Sequence, residues 1–127
     1  MKPTRFLRPA FWAAALFAFV MAVLPHPPQL PGEPEDKVQH VLAFATLALL
    51  GGFAFERMRL VALLVRLSLF GALIEVVQAI PALHRDSDVV DWLADTIAAA
   101  AVLALIAYRR RASYLPGKPK RDDDDQL

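Results

Sequence analysis

The chain has 127 residues, which leaves room for one domain. Its apolar fraction of 57% exceeds the soluble average of about 45–50%, and the excess is gathered into four blocks, so a membrane protein is favoured over a water-soluble core. Fourteen Lys and Arg against thirteen Asp and Glu give a formal charge of +1, and the absence of cysteine excludes disulfides and thiolate metal sites. There is no Gly-rich phosphate loop and no internal repeat. The basic residues sit beside the apolar blocks, where membrane topology explains them better than nucleic acid does.

Met1 to Arg8 is short and basic, with Lys2, Arg5 and Arg8. The first expected span covers about 9–24, with Trp12 near its start. Sixteen residues are brief against the roughly 20 needed to cross, although Phe6 and Leu7 lengthen the run if Arg8 snorkels. A signal peptide is the rival reading, since a basic start precedes an apolar run. Val23-Leu24-Pro25-His26-Pro27-Pro28 is a poor cleavage site, so a retained helix is expected.

His26 to Glu35 is Pro-rich and reads as a loop. The second span is expected over 38–55, with Gly51-Gly52 near its far end either permitting close helix approach or loosening the terminus. Glu56-Arg57-Met58-Arg59 is a tight connection. The third span, 60–80, carries Arg66, Glu75 and Gln78 and is ended by Pro81. A short loop leads to the fourth, 89–108. Residues 1–108 thus form one membrane domain, an all-α bundle of four transmembrane helices. Residues 109–127 form a basic and acidic tail expected to be disordered.

Lys and Arg accumulate on the cytoplasmic side of membrane proteins. With both termini cytoplasmic, only Lys37 and Arg85 of the fourteen basic residues lie outside. The expected location is the cytoplasmic (inner) membrane. Asp36, Lys37, His40, Glu75, Gln78, Arg85, Asp88, Asp91 and Asp95 then gather at the outer face.

Of these, Asp88, Asp91 and Asp95 are the acids on the fourth span, and at 100° per residue they fall within an arc of about 60°. Carboxylates at membrane depth are costly and face a protein interior or a watery cavity. Asp88 reads as an N-cap and Asp91 as a first-turn acid. Asp95 lies a turn deeper and needs a partner, for which Arg85 and Lys37 are the candidates. Glu75 and Gln78 share a face of the third span, and an ionised Glu75 there calls for a nearby cation. Helix–helix hydrogen bonding and a role in acid–base chemistry both fit this pair. Asp36 and Gln39 have the spacing of a capping box. That leaves Lys37 and His40 unexplained, although Asp36 and His40 share a face. A carboxylate near an imidazole commonly orients a base or a metal ligand. Trp92 fits an interfacial aromatic belt.

His40, Glu75 and Asp95 are therefore the catalytic candidates. The binding candidates are Asp36, Lys37, His40, Glu75, Gln78, Arg85, Asp91 and Asp95. The acid excess at this face invites protonation, a divalent cation or a positively charged partner, but the spacing matches no dedicated metal motif and no cofactor is required.

Together, Asp36-Lys37-x-x-His40-x-x-x-Phe44, Glu75-x-x-Gln78, and Arg85 followed by Asp91 and Asp95 resemble the VanZ-like family of small bacterial membrane proteins. The resemblance runs from about Asp36 to Leu105. It departs where the family usually has Asn at the position of Asp95 and Gly at that of Ala98. It implies a four-helix membrane protein, in some members linked to low-level glycopeptide (teicoplanin) resistance, without a settled reaction. Three expectations follow. One is a cell-envelope accessory protein whose cluster binds an envelope or lipid-linked group. Another is a membrane enzyme using acid–base or metal-assisted chemistry. The third is a structural protein that docks another membrane protein.

Overall fold

Unbroken runs of Ala, Leu, Val and Phe satisfy their backbone groups internally only as helix when water is absent. The computed structural model describes residues 4–24, 36–83 and 87–113, with the backbone alone at Thr4, Asp36, Lys37 and Leu83. The fold is all-α, with α1 (Thr4–Val23), α2 (Asp36–Ala54), α3 (Leu60–Gln78) and α4 (Val89–Ser113), and a short 3-10 turn at Pro81–Leu83. The expected Pro-rich loop, Arg85 and the tail beyond Ser113 lie outside the described residues.

Two boundaries differ from expectation by five residues, and the others by two at most. Helix α1 starts five residues before Pro9 and contains it. So close to the helix start, the missing N–H removes only the bond to Arg5, and the helix continues. Helix α4 continues through Arg109-Arg110-Arg111 to Ser113, so the first part of the expected tail is helical. Arg is a good helix former and its charge suits the negative end of the helix dipole.

The helices pack in alternating directions, as short links require. Gln78 at the end of α3 reaches Ala22 at the end of α1, so these two run parallel. Arg110 of α4 likewise reaches Gly52 of α2, and the α3 end meets the α4 start through Glu75 and Asp88. Phe11, Phe44, Leu47, Ala48, Leu63, Leu67, Ile74, Ala99, Leu103 and Ile106 form the buried core.

Every helix also turns large apolar side chains outward. Leu16 and Phe17 on α1, Leu42 and Phe53 on α2, Val61 and Leu69 on α3, and Ile97 and Leu105 on α4 are all exposed. A soluble protein rarely exposes apolar patches of such extent. The three helices α1, α3 and α4 are long and apolar enough to cross a bilayer, whereas the apolar part of α2, Val38–Ala54, is shorter. At 1.5 Å per residue, all 19 residues of α2 measure about 28 Å, close to a hydrocarbon core of about 30 Å. The molecule is a four-helix bundle with the surface of a membrane protein.

Gly51 and Gly52 serve close approach. A Cβ on Gly52 would lie 2.6 Å from Ile106 Cδ1, and one on Gly51 would lie 3.0 Å from Leu63 and 3.1 Å from Phe11. Arginines from α1 and α4 close the end of their helix. Arg110 Nη2 donates to Gly52 O at 2.7 Å and Arg8 Nε donates to Ala54 O at 3.2 Å. Two cations thus satisfy carbonyls that the helix terminus leaves unpaired.

Candidate functional site

Of the polar side chains expected at one end of the bundle, His40 and Asp95 meet, and Glu75 is held at the start of α4. His40 is the fifth residue of α2 and Asp95 the seventh of α4. Because α2 and α4 run parallel, the two occupy neighbouring layers, about 6 and 9 Å from their helix starts. His40 Nδ1 lies 3.6 Å from Asp95 Oδ2. That is ion-pair range but too long for a hydrogen bond. Asp95 is only 2% exposed, and its second oxygen, Oδ1, is buried without a hydrogen-bond partner. Glu75 and Asp91 also lie close enough to act on His40 electrostatically. One carboxylate, that of Asp95, therefore pairs with the imidazole, and two more act on it from further away.

Glu75 has partners beyond the expected cation, whose candidates lie outside the described side chains. Its Oε2 accepts the backbone N–H of Asp88 at 2.9 Å and the hydroxyl of Ser87 at 3.0 Å. Ser87 Oγ also lies 3.0 Å from the Glu75 carbonyl. The partner is thus the N-terminal end of α4, whose free N–H groups and positive dipole suit a carboxylate as a cation would. Asp88 Oδ1 accepts from Val90 N at 2.9 Å and caps the same helix. Ser87 is the site residue that sequence reasoning missed. It stands in a loop where serine is commonplace, and nothing local marks it.

Gln78 is buried and donates from Nε2 to the Ala22 carbonyl at 3.0 Å, tying α3 to α1. Asp91 is half-buried in the first turn of α4 and takes part in further interactions. Asp36 and Lys37 open α2, but their side chains, like all of Arg85, lie outside the described residues.

Below the cluster runs a second polar layer. Trp92, expected in an interfacial belt, instead turns inward and donates its indole N–H to Ser68 O at 3.0 Å. Its ring packs over Gly71, where a Cβ would lie 3.3 Å from both Trp92 and Phe44. Thr96 Oγ1 donates to Trp92 O at 2.9 Å, which leaves Ser68 Oγ to donate to Thr96 at 3.1 Å. The glycine makes room for the ring, and the indole N–H finds its acceptor on α3.

The cluster is thus acid-rich and largely desolvated, with one imidazole. It suits a ligand bearing hydrogen-bond donors or positive charge, and it places a carboxylate beside a proton-carrying ring. Among the described residues no three His, Asp or Glu side chains converge so as to hold a metal ion. No family model, curated protein or solved structure matches the chain.

Proposed function

We propose that this is a VanZ-like cell-envelope accessory protein of the cytoplasmic membrane. Both termini are cytoplasmic, and the His40–Glu75–Asp95 cluster opens to the outer face. There it binds the donor-bearing or cationic group of an envelope or lipid-linked molecule. The observation that carries this reading is the buried, unpartnered Oδ1 of Asp95 beside His40. A desolvated carboxylate oxygen without a donor is costly, and a ligand N–H or ammonium group would relieve that cost. The family resemblance adds the expectation of reduced teicoplanin susceptibility.

The test compares teicoplanin susceptibility of cells producing the wild-type chain, His40→Ala or Asp95→Ala, with membrane abundance and thermal stability followed in parallel. Both variants are expected to return cells to the susceptibility of the empty-vector control at unchanged abundance. Wild-type behaviour of both would overturn the reading. A second reading, a membrane enzyme working by acid–base chemistry, draws on the His40–Asp95 contact, since a carboxylate beside an imidazole orients it as a base. Asp95→Asn separates the two. It keeps shape and one acceptor oxygen and supplies the residue usual in the family pattern, so binding of a neutral hydrogen-bond donor survives it while base catalysis falls steeply.

A further inference from the structure

The opposite end of the bundle is built for a different ligand. Arg5, Arg8, Arg57, Arg59, Arg66, Arg109, Arg110 and Arg111 gather there, and Glu56 is the one acid among the described residues of that end. Between α1, α2 and α3 lies a cavity of about 200 Å³, lined by Phe11, Trp12, Ala15, Phe55, Met58 and Arg66 among others. Its walls are aromatic. Phe11 stacks edge-on against Trp12 and Phe55, with centroids 5.3 and 5.2 Å apart, and the Arg8 guanidinium sits 5.7 Å over the Phe55 ring.

Arg66 is the exception in this apolar wall. It is the seventh residue of α3, about 9 Å along the helix, within the membrane-spanning part. Exposed and this near the helix end, it can carry its head to the interface, where lipid phosphates lie. Among the described residues it has no ion pair, and its contact is a long one from Nη1 to the Met58 thioether at 3.8 Å. A guanidinium fork with free donors beside an apolar cavity matches a phosphate carrying an acyl chain.

We propose that this groove binds an anionic phospholipid from the leaflet at the basic end. An acyl chain fills the aromatic cavity and the phosphate lies on Arg66, with Arg8 beside it. The site is separate from the acidic cluster and does not depend on the function proposed for it. Basic recesses between membrane helices are established holders of anionic headgroups.

Trp12, in the cavity wall, supplies the readout. The full chain is reconstituted in phosphatidylcholine bilayers containing a small fixed fraction of chain-brominated phosphatidylglycerol or, in parallel, chain-brominated phosphatidylcholine. Trp12 quenching is obtained by difference against Trp12→Phe. The anionic lipid is expected to occupy the site about five-fold more than the neutral one. Arg66→Gln should equalise the two lipids, and Arg66→Lys should retain part of the preference. Ala15→Phe should abolish it by filling the groove, and Arg111→Gln should leave it intact. Equal quenching in the wild type would mean an unselective apolar surface and would overturn the proposal. So would a preference that survives Arg66→Gln, which would reflect general attraction to the basic rim. Absence of quenching by either lipid would mean that a second copy or another protein covers the groove, and it too would overturn the proposal.

Discussion

Removing the Glu75 side chain leaves the Asp88 N–H without its acceptor and Ser87 with the Glu75 carbonyl alone. The cost belongs to the orphaned donor more than to the lost charge. Glu75→Ala should therefore destabilise the bundle by about 1–3 kcal/mol, and Glu75→Gln by clearly less, because an amide oxygen still accepts from Asp88. Unfolding of the purified protein in mild detergent measures both. Adding Ser87→Ala to Glu75→Ala should cost less than the sum of the single changes, since both act on one contact. Equal losses for Gln and Ala would instead locate the effect in the charge. Sequence reasoning identified the need of Glu75 for a partner but looked to arginine or lysine. The free N–H groups at the start of α4 are equally good partners, and no side chain advertises them.

The helices themselves are legible in the sequence, because each apolar block is near the length of a bilayer and is bounded by charge or proline. What lies between helices is much less so. Gly71 sits in the middle of an apolar run with no local signal, yet two aromatic rings from α2 and α4 close on it. Gly71→Leu should wedge those helices apart and destabilise by about 1–3 kcal/mol, read as a lower unfolding midpoint in detergent. The arginines are a second case. Basic residues at this end read only as topology markers, but Arg8 and Arg110 also close the carboxyl end of α2. Three consecutive arginines at 109–111 look equivalent in sequence, and the helical screw selects which one reaches Gly52. Arg110→Ala should thus cost about 1 kcal/mol, and the exposed neighbour Arg111→Ala close to nothing, by the same unfolding measurement.

At the scale of the whole molecule, the four helices divide charge between two ends. The described acids Glu75, Asp88, Asp91 and Asp95 mark one end, and eight arginines mark the other. An asymmetry of this kind sets orientation during insertion, because clusters of Lys and Arg near span ends resist translocation. The proposed orientation therefore holds the arginine end in the cytoplasm and turns the His40–Asp95 pair outward, where envelope molecules are. The chain contains no cysteine, so single cysteines report their side without background. Ala82, exposed in the turn between α3 and α4, should react as Ala82→Cys with a membrane-impermeant thiol reagent added to intact cells. Ser113→Cys, exposed at the end of α4, should react only after the membrane is opened. Reversed labelling would turn the acidic cluster to the cytoplasm and remove the envelope ligand from reach. It would leave the acyl groove intact but move it to the other leaflet, so the lipid-quenching experiment and the labelling experiment fail independently.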